Sequence, residues 1–321
     1  MGRYDDAMYL YLSDNDRFAD FFNAVLFCGE KVLRGDMLEP DAQRYVAAVP
    51  RENVREMPHS EAGFRDIKKR AKTGEGFVVT AIENQSSIDY TMPWRIMRYD
   101  QMEYGEQIDE IQRRRRAERN ANGLPPSHWA EQPGRGDRLN PVYTICFYHG
   151  TEKWDGPRSL KDMMDFGGRK DIWQKYFHDY EMTLFCANTP GDLTRFHTDL
   201  RQLLEVLPLR KDKKALSKLW SGNEFSHLSR DTMETMAIMT DSTEILKNIE
   251  KYMTEGGYSM CLAVEEMRRD WKEEGRTEGE ALQIISIIDN MMENLQCSLE
   301  RACEIAGKTP GEYHEAQALK K

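Results

Sequence analysis

The chain has 321 residues, of which 40% are hydrophobic and 31% are charged, and its formal net charge is −10. This length suggests about two domains, and the composition is that of a globular protein with a sizeable core. The acidic balance argues against a general nucleic-acid-binding protein, although it is compatible with a local basic patch.

The sequence contains no apolar run close to the roughly 20 residues that cross a bilayer. The first residues, MGRYDDAMYLYL, lack the pattern of a signal peptide. The six cysteines are scattered, with no C-x-x-C pair and no zinc-ligand spacing. We therefore expect a cytoplasmic protein with reduced cysteines and no membrane partner.

The N-terminal part begins with a predicted helix at residues 4–27, which the polar residues 14–16 interrupt. Residues 28–60 show no firm period, and we expect irregular structure there. Residues 76–84, GFVVTAIEN, follow the turn-like TGEG and form the clearest predicted strand, because they are rich in β-branched and apolar side chains.

Two further strands are predicted at residues 141–149 and 181–187. Residues 91–119 carry an apolar stripe at helical spacing, which predicts a long helix. Residues 120–140 are rich in Gly, Pro and Asn and predict a loop. A loop of this length is usually either functional or disordered.

From about residue 190 the chain is predicted to be almost wholly helical. A Gly pair at 256–257 divides it, a long helix is expected at residues 260–290, and two short helices joined at residues 307–310 end the chain. Strands followed by helices favour a mixed core with a helical extension.

Two acids attract attention if residues 65–72 pair with residues 76–84 through TGEG. The paired positions then sum to 149, so that Asp66 lies opposite Glu83. Opposed side chains have Cβ atoms about 4.5–5.5 Å apart, and two carboxylates so close repel each other unless a cation lies between them. Gln85 shares a face with Glu83. Three polar groups would thus converge at one place.

A helix is the alternative for the same segment. Phe64, Ile67 and Ala71 fall at helical spacing, and two acids 17 positions apart are a common coincidence. The residues alone leave both interpretations open.

Four segments resemble one protein family: YLSDNDRFADFFNAVLFCGE at 11–30, RDIKKRAKTGEGFVVTAIENQSSIDYTMPWRIMRYD at 65–100, PVYTICFYHGTEKWDGPRSLKDMM at 141–164 and TEGGYSMCLAVEEM at 254–267. They are similar to the Rpn-type recombination-promoting nucleases, a family of putative transposases within the PD-(D/E)XK phosphodiesterase superfamily. The resemblance implies an α/β (mixed α+β) fold with a restriction-endonuclease-like core, a mixed sheet flanked by helices, and a helical C-terminal extension.

The resemblance also implies a metal-dependent DNA endonuclease that acts in recombination, transposition or defence. We expect a PD-(D/E)XK nuclease-like domain at residues 1–190, a helical subdomain at 191–255 and a helical tail at 256–321. Glycines four apart, Gly275 and Gly279, are compatible with a homo-oligomer formed through the tail.

The catalytic residues implied by the resemblance are Asp66, Glu83 and Gln85, and the implied ligands of Mg²⁺ or Mn²⁺ are Asp66, Glu83 and Asn84. Gln85 stands at the Lys position of the wider superfamily. It can hydrogen-bond a water or a phosphate but carries no charge, so we expect weaker or more metal-dependent activity. The alternative function is a catalytically impaired nuclease-fold protein that binds DNA or another protein.

The opening helix would supply an accessory acid, Asp6, with Asp5 as its rival. His149 is compatible with polarising a water and also with a purely structural role. DNA contacts are expected at arginines on the long helix, and structural ion pairs are the alternative for each of them. These arginines are Arg95, Arg113, Arg114, Arg115 and Arg116, with Arg119 beside them.

Overall fold

The computed structural model describes residues 2–41, 44–45, 63–64, 66–74 and 76–319. A five-stranded mixed sheet forms its centre. Its strands are β1 (Leu38–Pro40), β4 (Ile67–Thr73), β5 (Gly76–Gln85), β6 (Val142–Tyr148) and β7 (Thr183–Cys186), and they lie in this order across the sheet. The strand β4 runs antiparallel to both β1 and β5, whereas β5, β6 and β7 run parallel.

Two further strand pairs form separate antiparallel sheets of two strands each. They are β2 (Arg44–Tyr45) with β3 (Gly63–Phe64), and β8 (Met253–Thr254) with β9 (Gly257–Tyr258). The mixed α/β architecture expected from the sequence is confirmed. The segment expected to be irregular, residues 28–60, lies partly outside the described residues.

The described residues form α-helices that are numbered here in chain order: α1 (Arg3–Leu12), α2 (Asn15–Leu26), α3 (Met92–Ala121), α4 (His128–Glu131), α5 (Lys170–Tyr176), α6 (Leu200–Val206), α7 (Lys213–Leu219), α8 (Arg230–Met239), α9 (Thr243–Lys247), α10 (Met260–Leu295), α11 (Leu299–Ile305) and α12 (Pro310–Leu319). Short 3₁₀ turns occupy Gly35–Met37, Lys161–Met163, Gly167–Arg169, Leu193–Arg195, Leu207–Leu209, Asn223–Phe225 and Ile249–Tyr252. No described helix is both long and apolar enough to cross a bilayer.

Helices cover both faces of the sheet. The predicted break separates α1 from α2, because the Asp14 side chain accepts hydrogen bonds from the first amides of α2 and caps it. On α2, Phe21 is fully buried and contacts Phe147 of β6 edge to face. On the other face, Met92 and Ile96 of α3 pack in one apolar cluster with residues of β6 and the segments around it, Cys146, Tyr148, Trp154 and Met182.

The strand β4 settles the choice between helix and strand for residues 65–72. Its ladder with β5 runs from Ile67 opposite Ile82 to Thr73 opposite Gly76, which confirms the predicted register, although residue 65 lies outside the described residues. Two consecutive lysines point to opposite faces and are satisfied there: Lys68 Nζ donates to Glu103 Oε2 (2.9 Å), and Lys69 Nζ donates to the Ser13 carbonyl (2.6 Å). Pairing on both edges of β4 therefore overrides its helical spacing.

The chain divides into two compact units, residues 1–219 with 228–249, and residues 220–227 with 250–321. This differs from the predicted boundaries at 190 and 255, because α6 and α8 pack with the N-terminal helices. In the second unit, Ile285 and Ile288 of α10 pack against Ala302, Cys303 and Tyr313 of the last two helices. The two short terminal helices expected from the sequence are confirmed.

Candidate active site

The two predicted acids lie at the C-terminal end of β5, the central strand of the sheet. One step beyond the pair Ile67 and Ile82, the ladder places Asp66 opposite Glu83. Asp66 Oδ2 accepts a hydrogen bond of 2.7 Å from the backbone N–H of Asn84. The Glu83 side chain is 0% exposed. The structure therefore brings Asp66 and Glu83 to neighbouring positions.

Asp66 is held in surroundings that disfavour its charge. Burial raises the pKa of Asp66, and the negative charge of Asp5 raises it further. The hydrogen bond from Asn84 and the charge of Arg95 lower it, but they do not compensate fully. A cation bound beside this carboxyl group would stabilise its ionised form.

Arg95 places a positive charge beside Glu83. Its Nη2 lies 3.7 Å from Glu83 Oε2, and its Nη1 donates to Asp89 Oδ2 at 2.6 Å. The guanidinium group is thus held by two carboxylates on the α3 side of the sheet. A contact between Arg95 and DNA stays a prediction, and the structure adds a role for this residue as a counter-charge to Glu83.

Asp5 approaches from the other face of the sheet. Its backbone carbonyl accepts from Asn84 Nδ2 at 3.1 Å, and its Oδ2 accepts from Ser86 Oγ at 3.1 Å. Its Oδ1 lies 3.3 Å from Nε2 of His149, a residue that is 1% exposed. The interaction with His149 is the main cause that lowers the pKa of Asp5. Neither the contact with Ser86 nor that with His149 follows from the sequence motif.

Asp6, which the sequence favoured as the accessory acid, is exposed, whereas its rival Asp5 lies beside the site. Helical spacing could have distinguished the two. Asp5, Met8 and Leu12 stand at positions i, i+3 and i+7 of α1, so they share one face. Met8 and Leu12 are fully buried, and an acid on their face points toward the sheet.

The oxygen atoms of the candidate site are chemically suited to bind a hard divalent cation. Mg²⁺ prefers oxygen ligands and is often held by only one or two carboxylates, with water and substrate phosphate completing its shell. Asp66 and Glu83 supply two such groups, and Asn84 Oδ1 is buried without a hydrogen-bond partner among the described residues.

The candidate site brings together two carboxylates, those of Asp66 and Glu83. In the described part of the chain, no three His, Cys, Asp or Glu side chains lie close enough together to hold a metal ion. Consecutive strand residues point to opposite faces, so Glu83 faces α3 while the Asn84 side chain faces α1 and Asp5. The residues therefore fit a cation held by Asp66 and Glu83, whereas the Asn84 side chain, predicted as a third ligand, lies on the opposite face of the sheet.

Gln85 is the last residue of β5. Its carbonyl accepts a hydrogen bond of 2.9 Å from the backbone N–H of His149, which joins the ends of β5 and β6. Its half-buried side chain lies on the same face as Glu83. It is thus placed as the sequence motif predicted, and its part in catalysis stays a prediction.

The arginine run of α3 is engaged by the loop that follows it. Arg114 and Arg115 both bind Asp137, the first at 2.9 Å, and Arg116 Nε binds Glu131 Oε2 at 2.9 Å. Arg119 donates to the Pro125 carbonyl. Arg113 is exposed and donates to the Asp109 carbonyl. Most of these charges thus hold residues 120–140 against the helix.

Fold and site together define a mixed α/β protein with two neighbouring acids at the end of its central strand. Residues 63–215 match the model of a family described as putative transposase, YhgA-like. This part of the chain, which includes Asp66, Glu83 and all of α3, is similar to that family, in agreement with the resemblance seen in the sequence. No curated protein and no solved structure matches the chain.

Proposed function

We propose that the protein is a metal-dependent endonuclease that hydrolyses phosphodiester bonds of DNA, built on a PD-(D/E)XK core and acting in recombination, transposition or defence. The observation that carries the proposal is the pairing of Asp66 and Glu83 in the family-matched region. One of these acids has a raised pKa and the other is fully buried. Buried acids placed together at the end of a central strand are costly unless a cation balances them.

The chemistry follows from that pair. Asp66 and Glu83 would hold Mg²⁺ or Mn²⁺, which would supply Lewis acidity to activate a water and to stabilise charge on a phosphoryl oxygen. The Gln85 amide would hydrogen-bond the water or the phosphate. Arg95 places a positive charge beside Glu83, and the hydrogen bond from the Asn84 backbone N–H fixes the orientation of Asp66.

The test is the incubation of the purified protein with supercoiled plasmid, with and without Mg²⁺ or Mn²⁺. We expect metal-dependent nicking or cutting that Asp66→Asn and Glu83→Gln abolish. Asp6→Asn, a matched change at an exposed acid of α1, should leave cleavage unchanged. Cleavage retained in both of the first two variants, with metal bound as in the wild type, would exclude these acids as essential ligands.

A second candidate is a catalytically impaired member of the fold that binds DNA. It is favoured by Gln85 at the Lys position and by Arg95, which already places one positive charge 3.7 Å from Glu83. Gln85→Lys separates the two candidates. It should keep or raise cleavage by an active enzyme, whereas binding of DNA without cleavage by both the wild type and this variant would support the impaired protein.

A further inference from the structure

A cleft of about 370 Å³ opens beside the candidate active site, and its function is not explained by the acids. Ser86 and His149 form the side of the cleft next to the site, and both contact the Asp5 carboxylate. Arg210 and Lys211, which follow the 3₁₀ turn after α6, line it as well. Two cations thus face a cavity whose wall is shared with the catalytic end of the sheet.

Arg210 is a half-buried cation without a counter-charge among the described residues. It makes no hydrogen bond or ion pair with any residue in the described ranges, and burial lowers its pKa despite the neighbouring phenol groups of Tyr148 and Tyr4. Arg17, by contrast, is bound by Asp199 and Asp231. A half-buried guanidinium group without a carboxylate destabilises the fold unless a ligand supplies the counter-charge.

Asp241, which lines the cleft, and Asp5, which lies beside it, are both engaged by other groups. Asp241 accepts a hydrogen bond of 2.7 Å from the Tyr4 hydroxyl and lies 3.9 Å from Arg3. Asp5 is bound by Ser86 and lies beside His149, as described above. Lys211 is exposed and forms no ion pair among the described residues. The lining therefore carries two cations, Arg210 and Lys211, against one carboxylate, Asp241, which Tyr4 and Arg3 already engage.

We propose that this cleft binds a phosphate group of a nucleic-acid strand, with Arg210 as the principal ligand and Lys211 as the second. The planar guanidinium group matches phosphate through two parallel hydrogen bonds, whereas an ammonium group acts as a point charge. A phosphate bound there lies next to Asp5, so it positions the strand across the end of β5. Such a contact carries no base information. The proposal rests on the nuclease function in its choice of substrate, although binding itself needs no cleavage.

The experiment measures binding in EDTA, where no cleavage takes place. The affinity for two fluorescein-labelled duplexes of unrelated sequence is measured by fluorescence polarisation for the wild type, Arg210→Gln and Lys211→Gln. Arg201→Gln is the control, because Arg201 is an exposed arginine paired with Glu205 at 3.0 Å. We expect Arg210→Gln to weaken binding to both duplexes about tenfold, as expected for the loss of charged hydrogen bonds. Lys211→Gln should weaken it less, and Arg201→Gln should leave it unchanged.

A thermal shift with inorganic phosphate separates a ligand from a structural role. A ligand that binds only the folded state raises the Tm. We expect phosphate to raise the Tm of the wild type but not that of Arg210→Gln. Without phosphate, the Tm of Arg210→Gln should equal or exceed the wild-type value, because the variant removes an uncompensated buried charge.

The phosphate and DNA binding measurements test the anion site independently of nuclease activity. Loss of phosphate and DNA binding in Arg210→Gln supports the anion site even if no DNA is ever cut. Wild-type DNA affinity and an undiminished phosphate shift in Arg210→Gln overturn it, even if metal-dependent cleavage is observed. A lowered Tm of Arg210→Gln together with wild-type affinity would show that Arg210 is structural.

Discussion

At the scale of single residues, the site combines groups that a linear motif can find with groups that it cannot. The pairing of Asp66 with Glu83 could be predicted from the sequence, because the position of the turn fixes the register of the two strands. His149 and Asp5 meet only because β6 ends and α1 begins beside the end of β5. Contacts between elements far apart in the chain are set by tertiary packing, which the sequence pattern does not specify.

Asp5 gives the residue-scale prediction. Its folded pKa is lowered by His149, so its contribution to stability is present above the unfolded value of about 3.9 and is lost as the pH falls through the lowered folded value. Asp5→Asn should therefore reduce the free energy of unfolding at pH 7 but show a smaller loss between pH 7 and pH 3 than the wild type. Urea unfolding at both pH values measures this.

The control for that experiment is Asp6→Asn, the same change one residue further along α1. Because Asp6 is exposed, its replacement should alter stability by no more than about 0.5 kcal/mol. A wild-type pH dependence in Asp5→Asn would mean that the pairing with His149 does not contribute to stability. DNA cleavage by the same variant would then show whether Asp5 has a catalytic part.

At the scale of elements, a strand was easier to predict where its own residues favour β-structure. The residues of β5 are apolar and β-branched, and the turn before it contains Gly74, whose φ of +61° glycine adopts without strain. The residues of β4 are ambiguous, because three of its seven residues are lysines. Lys68 and Lys69 are buried only because Glu103 and the Ser13 carbonyl receive them. A strand that contains buried lysines is therefore difficult to predict from the sequence, because the groups that bind these lysines lie elsewhere in the chain.

The arginine run gives the element-scale prediction. Replacement of Arg113, Arg114 and Arg115 by Gln should weaken binding to two unrelated duplexes alike. The slope of log affinity against log salt should become shallower by up to about 0.9 for each phosphate that the variant no longer neutralises. Asp137→Asn should act in the opposite direction, because it releases Arg114 and Arg115. Salt titrations with the wild type and both variants measure these slopes.

Equal slopes for all three proteins would contradict a role in DNA binding. The arginines would then serve only to hold residues 120–140 on α3. Limited proteolysis tests that second role, since Asp137→Asn should be cut faster within this loop. The sequence could not separate the two roles, because Asp137 and Glu131 are distant from the arginines in the chain and become their partners only when the loop folds back.

At the scale of the whole molecule, the unit boundaries follow from polar contacts rather than from composition. Residues 191–255 were predicted as a separate helical subdomain, yet most of them belong to the unit that contains the sheet. Asp199 explains why, because it binds Arg17 of α2, Tyr11 of α1 and Ser229 and Thr232 around the start of α8. Helical periodicity predicts α6 and α8 but does not predict which helices they contact.

The contribution of Asp199 to stability can therefore be tested by its replacement. Burial opposes its ionisation, but hydrogen bonds from Ser229 and Thr232 and the charge of Arg17 outweigh this, so its folded pKa is lowered. Its contribution is present above the unfolded pKa and is lost as the pH falls through the lowered value. Asp199→Ala leaves the buried Arg17 without its closer carboxylate and should destabilise the protein by about 3 kcal/mol at pH 7, and by less near pH 3. Asp231→Ala, which removes the exposed second carboxylate 3.4 Å from Arg17, should cost no more than about 1 kcal/mol. Urea unfolding followed by far-UV circular dichroism measures both. Equal losses at pH 7 would show that the Asp199 network does not stabilise the contact of α6 and α8 with α1 and α2.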